Sequence, residues 1–211
     1  MSPASAVSIE ALRAKIRAIE STAPVSRRRV PSGVPVVDGL IEGLPRPGIV
    51  EICGHEGTGR TRVALSIAAE ATRERHCVAW VDPLCQLYPP AAAALGVDLD
   101  RLLLIRPPAD GGHREIWATE QLLRSGCFAL VVSHLPEQRT QRRFGGHQWA
   151  RAAEQGQCTA LILGDRPARE VPAEVRLQTG RGRLAVLRDR GGRPGDSAAL
   201  PPLPAQADPW S

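Results

Sequence analysis

A glycine-rich stretch at residues 54–61 constrains the fold of this chain more than any other feature. It reads Gly54-His-Glu-Gly57-Thr-Gly59-Arg60-Thr61. The spacing is that of a phosphate-binding loop, GxxxxGK[ST], and the stretch lies between an apolar run and a segment of helical periodicity, as such loops require. In these loops backbone N–H groups surround the phosphates, the Lys contacts the outer phosphates and the hydroxyl binds magnesium. The pattern therefore predicts an α/β protein with a phosphate loop.

The loop departs from the motif at Arg60, which stands in the place of the Lys. A planar guanidinium keeps the charge but differs in shape from the compact ammonium that fits between phosphates. A working ATPase also needs an acid at the end of a neighbouring strand, and the corresponding run ends in Ser133. Asp82 ends another strand, although an Asp at that place also caps turns. We therefore interpret Gly54, Gly57, Gly59, Arg60 and Thr61 as a degenerate nucleotide loop, with weak ATP or ADP binding at most and no catalytic residue.

Apolar runs alternate with helical segments from residue 48 onward. Strands are predicted at 49–53, 77–82, 102–105, 128–132 and 159–163, and helices at 59–74, 89–95, 113–124 and 148–154. This alternation predicts a parallel central sheet flanked by helices. Two runs of alternating polarity, at 171–179 and 183–190, predict an antiparallel hairpin at the sheet edge.

Both ends of the chain differ from this core, which we place at residues 36–190. Residues 1–22 are predicted to form an amphipathic helix, because Ile9, Leu12, Ile16 and Ile19 recur along one face. A linker rich in Pro, Ser and Arg is predicted at 23–35. Residues 191–211 are predicted to be a disordered tail with Trp210 as its single large hydrophobe.

Composition excludes several classes of protein. Apolar residues make up 43% of the chain but aromatic residues only 3%, so the core is built from aliphatic side chains, which suits a parallel sheet. The five cysteines and five histidines have no metal-binding or redox spacing, so no metal site is predicted. No run approaches the roughly eighteen apolar residues that span a bilayer, and no signal peptide is evident, so a cytoplasmic protein is expected.

From residue 30 to about 136 the motifs resemble the core of the bacterial RecA recombinase. They include Ser32-Gly33, Gly43-Leu44-Pro45 and Leu123-Arg-Ser-Gly126. Within this stretch, Trp80-Val-Asp82 and Gly96-Val-Asp-Leu-Asp-Arg-Leu-Leu103 are similar to the ImuA family, which consists of short RecA relatives with a decayed phosphate loop and overlaps with SulA-like proteins. The resemblance implies a RecA-like phosphate-loop core.

The resemblance to RecA also implies where functional residues should lie. RecA's catalytic Glu falls at Leu84 and its magnesium Asp at Ser133. Its adenine-side Asp and Tyr fall at Tyr88 and Ala91. The segment in place of its second DNA loop is short, at 164–170. All these changes argue against ATP hydrolysis.

The resemblance to ImuA implies a role in DNA-damage-induced (SOS) mutagenesis. The implied partners are RecA, the Y-family polymerase-like protein ImuB and, indirectly, an error-prone C-family polymerase alpha subunit. Our hypothesis is a non-catalytic RecA-fold adaptor that supports translesion DNA synthesis by binding RecA and ImuB. Two alternatives stay open: a weak ATPase that binds single-stranded DNA, and a SulA-like inhibitor of cell division.

Candidate contact surfaces also have two interpretations each. The helix bearing Ile9, Leu12, Ile16 and Ile19 docks on RecA or ImuB, or packs on the chain's own core. Arg139, Arg142 and Arg143 stand where RecA has its first DNA loop and would contact phosphates, or are a solvated basic turn. Trp210 anchors a peptide-like tail to a partner, or has no role.

Overall fold

The computed structural model describes residues 28–108, 113–134, 146–189 and 194–201. The strands are β1 Arg29–Val30, β2 Leu44–Pro45, β3 Gly48–Cys53, β4 Val78–Val81, β5 Leu102–Ile105, β6 Leu130–His134, β7 Thr159–Gly164, β8 Val175–Gly180, β9 Arg183–Asp189 and β10 Ser197–Ala199. The helices are α1 Pro35–Ile41, α2 Arg60–Arg73, α3 Pro89–Ala94, α4 His113–Arg124 and α5 Gly146–Gly156, with a short 3-10 helix at Leu99–Arg101.

Eight of these strands form one sheet in the order β10-β9-β8-β3-β7-β6-β4-β5. The pairs from β8 through β5 are parallel, and β8–β9 and β9–β10 are antiparallel. The predicted α/β fold with a mostly parallel central sheet is therefore confirmed. The predicted hairpin is the β8–β9 pair. All six residues of β3 and of β7 are buried, which explains why these strands read as continuous apolar runs.

Helices cover both faces of the sheet. On one face, Val50 and Ile52 of β3 pack with Ile67 of α2. On the other, Ile49 packs with Trp149 of α5 and Leu123 of α4. Alternate residues of β3 thus enter two separate cores, as the period of a strand requires.

Helix α2 carries the phosphate loop at its N-terminus. Val63, Ala64, Ile67 and Ala68 are buried at helical spacing, so this face holds the helix against the sheet. Because α2 begins at Arg60, seven residues after β3 ends, its N-terminus lies at the carboxyl edge of the central strand. Among the described residues, no helix combines the length and hydrophobicity needed to cross a bilayer.

The described part of the predicted linker is packed against the core rather than extended away from it. Arg29–Val30 pairs antiparallel with β2. The Arg29 guanidinium donates to the carbonyl oxygens of Ile41 and Gly43 and lies 2.5 Å from Oδ1 of Asp189. Backbone pairing and the Arg29 guanidinium hold this segment in place. Such contacts leave no apolar pattern in the sequence, so the Pro, Ser and Arg content alone suggested a linker.

The prediction of a disordered tail at residues 191–211 is wrong for residues 194–201, which include strand β10. Strand β10 pairs antiparallel with β9, and the Arg183 guanidinium donates to the carbonyl and hydroxyl oxygens of Ser197. The ladder continues one residue further, because Leu200 N donates to the Gly182 carbonyl oxygen at 2.8 Å. An edge strand of small residues held by backbone hydrogen bonds leaves no apolar pattern in the sequence.

Candidate functional site

The phosphate loop follows the central strand β3 and is fixed to its neighbours. Gly54 N donates to the Gly164 carbonyl oxygen of β7 at 3.1 Å. On the other side, Thr58 Oγ1 lies 2.7 Å from Thr179 Oγ1 of β8 and donates to the His55 carbonyl oxygen at 2.6 Å. The loop therefore has a definite shape that depends on the strands around it.

Two glycines explain why the motif requires this residue type. A Cβ on Gly54 would lie 2.2 Å from Thr179 Oγ1 and 2.7 Å from the Thr179 carbonyl oxygen, so no larger residue fits against β8. Gly59, just before α2, has φ of 96°, which side-chain-bearing residues rarely adopt. The glycine frame predicted from the sequence thus forms a strand-to-helix turn of the expected kind.

The Arg60 side chain turns into the protein. Its Nη1 donates to the Gly54 carbonyl oxygen at 2.5 Å and also forms an ion pair with Asp165, which directly follows β7. Its Nη2 lies 3.0 Å from Nε2 of His134, the last residue of β6. Only 6% of Arg60 is exposed. The guanidinium thus joins the carboxyl ends of β3, β6 and β7, an arrangement that we call the Arg60 clasp.

Within the Arg60 clasp the neutral form of the His134 ring is favoured. Burial lowers its pKa, and the adjacent Arg60 charge lowers it further. A neutral ring can accept the Arg60 N–H at Nε2, with its own proton on Nδ1. Within the described residues Nδ1 has no hydrogen-bond partner.

The positions expected to hold magnesium face elsewhere. Ser133 is fully buried and its hydroxyl accepts from Thr119 Oγ1 of α4 at 3.0 Å. The Asp82 carboxylate accepts the backbone N–H groups of Gln86 and Leu87, both at 2.9 Å. Asp82 is therefore a turn cap, the second of the two roles considered for it.

The positions in place of RecA's catalytic Glu and adenine contacts lie on the surface. Leu84 is 41% exposed and Tyr88 67% exposed, and Ala91 is also exposed. None of them supplies a carboxylate.

A magnesium–nucleotide complex does not fit the residues present. The Arg60 guanidinium is occupied by a carbonyl, a carboxylate and an imidazole, and so is not presented to a phosphate. Ser133 and Asp82 are both engaged away from the loop. Thr61 is exposed and keeps the hydroxyl of the motif. The basic side chain of the motif is therefore not available to a phosphate.

The segment that supplies Asp165 is held by a buried ion pair. Glu51 of β3 is 1% exposed; its Oε1 accepts from Ala168 N at 2.7 Å, and its Oε2 pairs with the Arg176 guanidinium. Burial raises the pKa of Glu51, while the Ala168 N–H and Arg176 oppose that rise. Arg176 also donates to the Ala168 carbonyl oxygen at 2.7 Å. The short segment after β7 is therefore a braced turn that presents Asp165 to Arg60.

The C-terminal segment lies beside the phosphate loop. The Leu200 side chain is 3.6 Å from where a Cβ on Gly59 would be. The Arg62 guanidinium, in the first turn of α2, donates to the Pro201 carbonyl oxygen. Sequence reasoning did not place this segment near the loop.

His134 and Asp165 were also missed as partners of Arg60. Both stand at the carboxyl ends of the buried strands β6 and β7, which is the edge where the phosphate loop lies. Their position at the ends of two predicted strands could have indicated that they lie near Arg60.

The other predicted contact residues lie outside the described residues. These are Ile9, Leu12, Ile16, Ile19, Arg139, Arg142, Arg143 and Trp210. Within the described ranges, no group of three or more metal-ligating side chains is assembled.

Comparison with known proteins finds RecA sequences. The family model of the RecA N-terminal domain matches residues 16–135. Protein RecA of Symbiobacterium thermophilum is 43% identical over 105 residues, which is 49% of this chain and 29% of that protein. Protein RecA of Clostridioides difficile is 42% identical over 92 residues, 44% of this chain and 26% of that protein. The chain thus matches less than a third of the length of these relatives.

A solved structure shares the fold. The crystal structure of the RadB recombinase superposes with a TM-score of 0.63 and 18% identity, covering 79% of this chain and 93% of that chain.

Proposed function

Because the chain belongs to the RecA N-terminal domain family, we propose that it is a non-catalytic member of that family. It acts as an adaptor in DNA-damage-induced mutagenesis and supports translesion synthesis by binding RecA and ImuB. The partners and the process come from the resemblance of its motifs to the ImuA family. The lack of catalysis is inferred from the chain's own residues.

The observation that carries this proposal is the Arg60 clasp. In a phosphate loop that works on ATP, the basic side chain faces the phosphates. Here it is buried and bonded to Gly54, Asp165 and His134. A loop that is satisfied by its own protein has no need of nucleotide to hold its shape. This supports a fold retained for its surfaces rather than for hydrolysis.

Nucleotide turnover by the purified full chain tests the absence of catalysis. We expect no ATP hydrolysis above background, with or without single-stranded DNA, and no thermal shift at millimolar ATP and magnesium. Saturating ligand at a hundred times its dissociation constant would stabilise the native state by about 2.7 kcal/mol, which a thermal shift detects readily. Sustained turnover that disappears in Arg60→Ala would establish the weak-ATPase alternative instead.

The adaptor role is tested by binding and by genetics. We expect the purified chain to retain RecA and ImuB in pull-down experiments, and its gene to be required for damage-induced mutation. Filamentation on overexpression without DNA damage, together with no binding to either partner, would instead establish division inhibition.

A further inference from the structure

A cavity lies at the edge of the sheet opposite the phosphate loop, and we call it the amino-edge cavity. One wall is the β1–β2 pair and the other is the C-terminal half of α2; the volume is about 670 Å³. Its floor includes Leu44, Ile67 and Leu130, the last of which is the first residue of β6. Pockets of this size receive whole small molecules. The cavity is therefore large enough for several aliphatic side chains.

The β1–β2 wall is fixed to the rest of the protein. The Arg29 guanidinium donates to the carbonyl oxygens of Ile41 and Gly43, both at 3.0 Å. Thr159 Oγ1, at the start of β7, donates to the Pro45 carbonyl oxygen of β2 at 2.8 Å. The wall is thus held by contacts that do not involve the cavity, so the cavity is preformed.

Apolar groups around the amino-edge cavity are not fully covered by the described residues. Val30, Ala71 and Ala129 line it and are only partly buried, and Pro31 is exposed. Burial of such groups is favourable in proportion to the apolar area removed from water. An occupant with aliphatic side chains would supply that burial.

The two walls differ in how their charges are paired. Arg28 and Arg46 both line the cavity and stand opposite each other, since Arg46 N donates to the Arg28 carbonyl oxygen at 2.9 Å. Neither guanidinium forms an ion pair within the described ranges. On the other wall, Glu70 and Glu74 both pair with Arg73. A carboxylate next to the occupant's aliphatic side chains would therefore complement the β1–β2 wall.

The chain itself contains a segment with these properties. The sequence predicts an amphipathic helix at residues 1–22, with Ile16 and Ile19 on its apolar face and Glu20 beside them. The described chain begins at Arg28, which lines the cavity. Residues 21–27 span at most about 25 Å when extended, so they keep the helix close to the cavity. Such a short tether gives a high effective concentration.

We propose that the amino-edge cavity is the docking site for the N-terminal helix of the same chain. Ile16 and Ile19, which lie one turn apart on the helix, enter the cavity. Glu20 faces the wall that carries Arg28 and Arg46. This inference does not depend on the adaptor function. It assigns the helix to the chain's own core, so the apolar face is not available to RecA or ImuB.

Site-specific photo-crosslinking in the full chain tests this placement. An aliphatic diazirine amino acid replaces Ile19, and mass spectrometry locates the crosslink after illumination. We expect crosslinks to peptides that contain Leu44, Ile67 or Leu130. The control carries the same group in place of Ala14, which lies on the opposite face of the helix and should lose these crosslinks. Crosslinks from position 19 to other parts of the chain, or none, would overturn the proposal.

A mixture of isotope-labelled and unlabelled chains separates docking within one chain from docking between two. We expect each crosslinked product to contain peptides of one label only. Products that join a labelled to an unlabelled peptide would assign the cavity to the helix of a second copy and overturn the proposal. Neither result bears on whether the chain binds RecA and ImuB.

Substitutions test the contribution of the apolar face. Ile16→Asp and Ile19→Asp are compared with Ala14→Asp, which adds the same charge to the opposite face. Loss of one buried aliphatic side chain should speed amide exchange in the β1–β2 pair by at least about tenfold. The control should stay within about twofold of the wild type. Equal exchange in the three variants would overturn the proposal, and the crosslinking decides the matter if an Asp variant does not fold.

A charge exchange tests the position of Glu20. Glu20→Arg should lower the crosslink yield from position 19, because it places like charges at the β1–β2 wall. Combining Glu20→Arg with Arg46→Glu should restore the yield. A yield that does not change in Glu20→Arg would contradict the placement of Glu20 at this wall.

Discussion

Two loops at the same edge of the sheet are each held by a buried charged side chain, but the two side chains bind different kinds of group. The phosphate loop follows β3, and residues 82–88, the 82–88 loop, follow β4. Each is organised by one buried charged side chain, Arg60 in the first and Asp82 in the second. Arg60 binds groups at the ends of three strands and fills the inside of its loop. Asp82 binds the backbone of its own loop, so that apolar side chains project outward.

The difference lies in where the buried charge directs the rest of the loop. In the phosphate loop the charge that would contact a ligand is satisfied internally. In the 82–88 loop the position that the resemblance to RecA assigns to a catalytic Glu is Leu84, which is exposed. The inner site is closed and the outer one is offered to solvent. The predictions below test each half of that contrast.

The largest effect is expected from breaking the Arg60 clasp. Arg60→Ala removes three contacts and leaves the Gly54 carbonyl and the buried His134 ring without their partner. We expect the free energy of unfolding to fall by about 2–4 kcal/mol. The Asp165 side chain is 38% exposed, so solvent screens its part of the loss. Urea denaturation measures the change, with exposed Arg73→Ala as control; equal stability of the two variants would show that the clasp contributes nothing.

A smaller loss is expected from releasing the 82–88 loop. Asp82→Ala removes the acceptor of two backbone N–H groups, and we expect a loss of about 1–3 kcal/mol. Asp82→Asn keeps one acceptor oxygen and should fall between Asp82→Ala and the wild type. If hydrogen exchange at Gln86 and Leu87 is unchanged in Asp82→Ala, the loop is not braced as described.

The phosphate loop should add a pH dependence to the stability of the protein. The folded pKa of His134 lies below its ordinary value of 6.5, because of burial and the Arg60 charge. The unfolded state therefore binds the proton more readily, and the stability contributed by the neutral ring is complete above pH 6.5 and is lost as the pH falls below it. His134→Gln keeps an acceptor for Arg60 without titrating, so we expect a flatter stability profile between pH 5 and 7. Parallel profiles for the two proteins would contradict this.

The smallest effect is expected at Thr61. Its side chain is exposed at the start of α2, so Thr61→Ala should change stability by no more than about 0.5 kcal/mol. An adaptor should also keep full damage-induced mutagenesis with this substitution. In an ATPase the same change removes a magnesium ligand. Complementation of a deletion strain measures the outcome, and a null phenotype from a stable Thr61→Ala protein would argue for nucleotide chemistry.

Much of the fold could be predicted from the sequence because its central strands are buried on both faces. The run predicted at 159–163 is β7, and 102–105 is the full extent of β5. The ends could not be predicted in the same way. β1 and β10 are short edge strands held by Arg29 and Arg183, and neither hydrogen bonds nor ion pairs leave a periodic pattern.

The candidate site was predictable in part. The glycine spacing located the loop and identified Arg60 as the anomalous residue. The sequence could not predict that the Arg60 side chain points into the protein. Its partners His134 and Asp165 lie 74 and 105 residues away in sequence and contact it only after the sheet forms. Strand alternation places the adjacent Ser133 and His134 on opposite faces of β6. Ser133 contacts Thr119 of α4, whereas His134 contacts Arg60.

The placement of β3 also affects how the chain is made. Its two neighbours, β7 and β8, are both synthesised after residue 158, so β3 leaves the ribosome long before either is available. At roughly 5–20 residues per second, several seconds pass in which six consecutive core residues have no strand to pair with. Unpaired strand edges favour aggregation, so this interval is a period of risk for the nascent chain. A premature stop before β8 would release a fragment whose central strand β3 lacks a partner on at least one side.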